Sequence, residues 1–346
     1  MNRNRLFATA GLVAALVLSA CSSNGSASSP STSNASPSLT PVSIALSWTP
    51  NTDYTGIYVA AQRGYYKDAG IDLTVQPYAS TAPETLVSSG TVDFGFSYQA
   101  GVTYARAAGQ DVISVFAPDQ KGTYAIGVSA KRTDITGPRD LDGKTYAGFG
   151  TPDEVPLLQT VIRNDGGKGE FTNATLNTSA YEAVSNGSAD FTIPTATWDA
   201  VQAKAAGKPM KLFALTDYGF PDQYSVLIAS SQKYLTANPD VAKRFLAATQ
   251  KGYQFAAEHP AQAAADVVAA NPGTFPNPAL VTESQQALVD GHYLTDSNGA
   301  VGRQSLDRWK AYAGFLFTNK LLTDGQGKPV TVEPDWSTYF TNDYLN

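Results

Sequence analysis

Trp48, Asn51 and Tyr54 share one short stretch, WTPNTDY, that carries aromatic faces, an amide and little charge. An indole face stacks on a flat heterocycle for roughly 0.5–1.5 kcal/mol beyond area burial. An amide such as Asn51 offers a ring edge both a donor and an acceptor. Tyr98 and the pair Trp198-Asp199 repeat the theme further along the chain. Glu154 closes a Gly-rich run, GFGTPDE, that leads into a helical pattern. Such a turn can hold an anion on its backbone N–H groups. Asp153 and Glu154 would repel one, so Glu154 reads as a polar ligand contact or as a capping-box acid. The chemistry on offer is recognition. His259 and His292, the only histidines, lack metal-ligand spacing, and no Gly-x-Ser-x-Gly or Cys-x-x-Cys run supplies a nucleophile or a zinc set.

Each of these residues has a structural use that competes. Trp48 continues the apolar face of a strand, yet its place at the strand end favours a cleft. Asn51 is also a good helix N-cap, with Thr52 and Asp53 as the other cap candidates. Tyr54 and Tyr58 lie one turn apart on one helix face, so one of them belongs to the core, and Tyr54, in the first turn, is the better cleft residue. Asp199 is equally well placed as a helix-start charge favoured by the dipole.

The elements that position them alternate. Val42, Ile44, Leu46 and Trp48 follow the period of a strand, and Tyr54, Ile57, Tyr58 and Ala61 follow that of a helix. Ile71 to Val75 is a second strand, residues 82–89 a short helix, and Asp93 to Ser97 a third strand. This βαβαβ order predicts a mostly parallel sheet in an α/β fold. An internal echo, SGTVDFGF at 89–96 against NGSADFTI at 186–193, predicts a second lobe of related design. Tyr124 to Val128 and Tyr224 to Ala229 resemble each other and are expected to be paired crossovers between lobes. The reading gives residues 41–128 and 226–346 to lobe 1 and 129–225 to lobe 2. Ligands of open parallel sheets bind beyond the carboxyl ends of the strands. That places Trp48 to Tyr54, Tyr98, Gly148 to Glu154 and Trp198-Asp199 around one interlobe cleft, with Tyr224 completing the ligand-binding set.

The N-terminus sets the compartment. Arg3 and Arg5 precede an uncharged apolar run, residues 11–18, that is too short for a comfortable membrane span. It ends in Leu18-Ser19-Ala20-Cys21, a lipobox pattern. Residues 1–21 therefore read as a lipoprotein signal peptide, with Cys21 as the site of lipidation and the anchor to the membrane. Residues 22–40 are almost wholly Ser, Asn, Ala, Gly, Thr and Pro and read as a flexible tether. Cys21 is the one cysteine, so disulfides and Cys-based metal sites are excluded. With 24 basic against 30 acidic residues and no basic block, nucleic acid is not an expected partner.

The stretches WTPNTDYTGIYVA, GYYKDAGIDL, LDGK and PDQY together resemble the NMT1/THI5-like family, over most of residues 42–255. The resemblance implies a two-lobed type II periplasmic-binding-protein fold with a hinged cleft. It also implies a solute-binding role beside an ABC permease on the extracytoplasmic face of the cell membrane. It further implies a small heterocyclic ligand: a pyrimidine precursor of thiamine, or riboflavin in a neighbouring branch. The family often has Trp-Glu where this chain has Trp198-Asp199, so Asp199 is implied as the acceptor for an aminopyrimidine. The family's usual His is replaced by Tyr54. The fungal enzymes of the family consume a His of their own, use pyridoxal phosphate and carry a Cys-rich iron motif. This chain keeps neither that His nor those cysteines, so a binding protein that needs no cofactor is expected and an enzyme is not.

Overall fold

The computed structural model describes residues 38–345. Cys21, the leader and most of the Ser-rich tract lie outside the described residues. Thr40, expected to fall in the tether, belongs to β1 (Thr40–Ala45). Its backbone N–H donates to the Gly70 carbonyl at 2.8 Å, which fixes the first rung of a parallel ladder.

β1 shares a sheet with β2 (Ile71–Gln76), β3 (Phe94–Ser97) and β4 (Ile113–Phe116). A second sheet holds β5 (Ala125–Ser129), β6 (Thr145–Gly148), β7 (Thr172–Thr175), β8 (Phe191–Thr192) and β9 (Met210–Ala214). β10 (Leu227–Ser230) returns to the first sheet. The strand orders are β2-β1-β3-β10-β4 and β7-β6-β8-β5-β9. In each sheet the fourth strand is antiparallel to both neighbours. The architecture is α/β and two-lobed, as expected.

The position of the crossovers differs from expectation. β5 and β10 are sheet strands, each the first strand after the chain has crossed. Residues 117–124 and 215–226 make the crossings. The apolar runs AIGV and LIAS are buried at every residue, which requires neighbours on both sides. An inserted antiparallel strand provides them. The crossings themselves are tied side by side: the Gly122 N–H donates to Asp222 Oδ1 at 2.7 Å and the Thr123 N–H to Ser225 Oγ at 2.7 Å.

The internal echo has a physical basis. Gly90 and Gly187 each end a helix with φ of 75° and 81°, a conformation that glycine adopts without steric cost. The Asp that follows then reaches the adjacent parallel strand. Asp93 accepts from the Ser43 N–H at 2.8 Å, and Asp190 accepts from the Thr145 N–H at 2.8 Å. Each carboxylate pins the start of its strand to its neighbour.

Helices Thr55–Gln62 and Pro239–Glu258 cover one face of the first sheet. The longer one buries Ala242, Phe245, Leu246, Thr249, Gly252, Tyr253 and Ala256, a single helical stripe. Phe245 stacks on Phe94 with ring centroids 4.1 Å apart. The two helices meet through Gly56 and Gly252: a Cβ on Gly252 would stand 2.0 Å from the Gly56 carbonyl oxygen. This close approach lets the Tyr253 hydroxyl donate to the Asp53 carbonyl at 2.7 Å. The start of the shorter helix is thereby held at the carboxyl end of β1.

Candidate functional site

A cavity of about 350 Å³ lies between the two sheets, beyond their strand ends. Its first wall follows β1. The chain turns after Ala45 and enters a short 3-10 turn at Thr52–Tyr54. Asn51 caps that turn: its Oδ1 accepts from the Asp53 N–H at 2.8 Å. Asn51 also lines the cavity, so its two readings coexist. Trp48 stands half-buried at the cavity edge. Its ring lies 5.3 Å from Tyr78 and meets Phe149 of the other lobe edge-on at 6.4 Å. Tyr54 packs on Phe96 at 4.4 Å, and its hydroxyl pairs with Ser47 Oγ at 3.0 Å. Tyr58 is a core residue; burial pushes its hydroxyl up to about 12.

Tyr98 follows β3 as the N-cap residue of helix Gln99–Ala107 and lines the cavity. Glu154 begins helix Glu154–Asn164. Its carboxylate accepts the Phe149 and Gly150 N–H groups, each at 3.1 Å. The Gly-rich turn is therefore filled by its own acid. Asp153 beside it accepts from Tyr312 at 2.7 Å and from Tyr104 at 3.3 Å. Tyr104 belongs to the helix that packs on β4 and Tyr312 to helix Leu306–Thr318, which packs on that helix, so Asp153 joins the lobes.

Trp198 and Asp199 follow β8. Trp198 is 9% exposed and meets Phe275 of the first lobe edge-on at 6.1 Å. Thr197, just before it, accepts from Ser284 Oγ, which also pairs with Thr52 Oγ1 at 2.6 Å. Asp199 Oδ2 accepts from the Thr195 N–H at 2.8 Å and from Thr195 Oγ1 at 2.7 Å. Burial raises the Asp199 carboxyl above its usual range despite these donors.

Tyr224 does not line the cavity. Its ring is 2% exposed, with the Arg308 guanidinium 4.8 Å from the ring centroid. Its hydroxyl accepts from the Ser305 N–H at 2.8 Å, and its own N–H donates to Gln99 Oε1 at 3.0 Å. It locks the second crossing to its neighbours. The reason is that β10 begins only at Leu227, so Tyr224 lies on the crossing and turns away from the cleft. The histidines stay outside the lining too.

Sequence reasoning missed several wall residues. Tyr78, Tyr181 and Tyr312 add aromatic surface from elements that no motif marked, Phe149 adds a ring within the Gly-rich run already placed at the cleft, and Tyr124 adds one from a segment expected to be a crossover. Asp53 was weighed only as a capping candidate. With the cap made by Asn51, the Asp53 carboxyl points inward and is buried. Burial, and next the charge of Asp199, push it up to about 7. Among the described residues the lining includes no Lys, Arg or His.

Comparisons with known proteins agree with this geometry. A formylaminopyrimidine-binding protein of Halalkalibacterium halodurans is 27% identical over 333 residues, covering 94% of this chain and 96% of that protein. The 4-amino-5-hydroxymethyl-2-methylpyrimidine phosphate synthase THI5 of Saccharomyces cerevisiae is 23% identical over 320 residues, covering 88% of each chain. The solved alkanesulfonate-binding protein SsuA of Xanthomonas axonopodis pv. citri, bound to MOPS, superposes with a TM-score of 0.62 at 18% identity, over 82% of this chain and 95% of that one. The fold is that of the periplasmic binding proteins. The profile of the family described as NMT1/THI5 like matches residues 51–263, and the chain belongs to that family.

Proposed function

We propose that this protein is the solute-binding component of an ABC importer. It is anchored through a lipid at Cys21 on the extracytoplasmic face and captures a thiamine pyrimidine precursor. The observation that carries this reading is the wall of the cavity: aromatic faces from both lobes, interrupted by acids, with no cation among the described lining residues. A flat amine-bearing ring satisfies both kinds of surface, because its faces stack and its N–H edge meets carboxylates. The volume, about 350 Å³, stands at the small end of ligand sites and suits a single ring. The lobes close over the ligand about the paired crossings at Gly122 and Asp222.

An enzyme of pyrimidine synthesis is the rival from another class. It is disfavoured by Tyr54 at the position of the family's His and by a lining without His or Cys. Sulfonate binding is disfavoured by Glu154, which already takes the N–H groups of the Gly-rich turn. Riboflavin keeps a place because a second space of about 670 Å³ borders the same Trp48, Tyr181, Trp198 and Asp199. A longer ligand would use both spaces. A thermal-shift screen of the mature chain decides among these. Formylaminopyrimidine and 4-amino-5-hydroxymethyl-2-methylpyrimidine are expected to raise the melting temperature, riboflavin less and alkanesulfonates not at all. A shift with sulfonate and none with any heterocycle would overturn the reading.

A further inference from the structure

Four carboxyl groups reach the cavity, and their hydrogen-bond partners divide them. Glu154 is taken by the Phe149 and Gly150 N–H groups, Asp153 by Tyr104 and Tyr312, and Asp199 by Thr195. Asp53 differs: its Oδ1 is buried without a hydrogen-bond partner. This does not come from a loose loop. The Asp53 N–H is held by Asn51 and its carbonyl by Tyr253. The backbone is fixed on both sides, and the residue lines the cavity. A buried acceptor left unpaired costs free energy, and of the two acids with an unpaired oxygen among the described residues, Asp53 and Asp119, Asp53 is the one on the cavity wall.

We infer that Asp53 is the residue that reads the ligand's charge, by taking the N–H edge of a protonated, amidine-like heterocycle. The inference rests on the reading of the cleft as a heterocycle site and narrows it to weakly basic aminopyrimidines. The groups facing Asp53 are acids, Asp199 and Asp119, and the hydroxyls of Tyr54, Tyr124 and Tyr253. No cation in this set could neutralise Asp53, so that role falls to the ligand. The complex then holds one proton between the Asp53 carboxyl and the ring nitrogen. Burial and the charge of Asp199 push the carboxyl up to about 7, so the empty site holds that proton on the acid side of neutrality and gives it up on the alkaline side. Above neutrality the empty site and the free ring are both deprotonated, and binding must take a proton from solvent.

The test is titration calorimetry with 4-amino-5-hydroxymethyl-2-methylpyrimidine, in buffers of different ionisation enthalpy, on the wild type and on Asp53→Asn. The 4-oxo analogue serves as the ring without a basic edge. For the wild type, affinity is expected to fall towards tenfold per pH unit in alkaline solution, with proton uptake approaching one. The 4-oxo analogue is expected to bind at least tenfold more weakly. Asp53→Asn is expected to lose the pH slope and at least tenfold in affinity at neutral pH. If both chains bind the aminopyrimidine alike, with the same slope, the role of Asp53 falls and the cleft reading stands. If the wild type binds no aminopyrimidine at any pH, both fall. Circular dichroism of the variant confirms that a loss of binding is not a loss of fold.

Discussion

Replacing Asp53 by Asn removes one buried carboxyl and changes little in shape. The effect on the empty protein's stability follows from where the proton sits. In the folded chain, burial and the charge of Asp199 hold the Asp53 proton up to about pH 7; in the unfolded chain it leaves near 3.8. Between those values the folded state binds more protons than the unfolded state. Wild-type stability therefore falls as pH rises through that window and is level on either side of it. The whole difference amounts to about 4 kcal/mol, of which about 2–3 kcal/mol is lost between roughly pH 5 and pH 8. Asn has no proton to lose, so Asp53→Asn is expected to have the flatter profile and to be the more stable chain at alkaline pH. Asp119 and Asp199 remain and slope the same way; Asp119 loses the charge of Asp53 that helps to raise it, so the difference between the two chains carries both changes. Guanidinium unfolding of both ligand-free chains, at matched ionic strength across this range, gives it directly. Parallel profiles would refute the argument, because they would mean that Asp53 titrates alike folded and unfolded.

Glu154→Ala is expected to lower stability by about 2 kcal/mol, since the Phe149 and Gly150 N–H groups lose a charged acceptor; chemical denaturation measures it, and an unchanged midpoint would count against the contact. Tyr312→Phe removes the shorter of the two donors that tie Asp153 to the other lobe. It should cost about 1.5–3 kcal/mol and enlarge the ligand-free radius of gyration by small-angle scattering. Gly252→Ala places a Cβ at 2.0 Å from the Gly56 oxygen, so the helices must separate at a cost of about 3 kcal/mol or more. Its melting temperature should fall, and because Tyr253 holds Asp53 the affinity for an aminopyrimidine should fall with it.

The parts of this fold that sequence could reveal are the local ones. The alternation of Val42, Ile44 and Leu46, and the repeated Gly-x-x-Asp-Phe signal, depend on neighbours a few residues apart. They led to the strand ends at which Trp48, Tyr98, Glu154 and Trp198 meet. β5 and β10 were misjudged as crossovers because their sheet neighbours are remote: β10 joins Phe96 and Ser114, and nothing near Leu227 encodes that pairing. Tyr224 was misplaced by the same error. Tyr312 stayed hidden because its partner, Asp153, lies 159 residues away. Asp53 was visible but read for its capping ability, and its real environment is set by Tyr253 and Asp199 from distant segments.

The Gly-rich turn at Phe149-Gly150 carries its own occupant. Because Glu154 is attached to the turn it fills, it competes with any free anion as though present at millimolar concentration or higher. A dissolved sulfonate or phosphate at micromolar levels would be outcompeted by about a thousandfold before any question of shape arises. The fold is shared with a protein solved with MOPS bound, and in this chain one side chain on a short tether already occupies the backbone donors of the turn. Removing the tethered acid would expose backbone donors that the scaffold already provides. Ligand charge in such a cleft can thus be reversed in evolution without rebuilding a wall, by deciding whether the chain brings its own anion or waits for one.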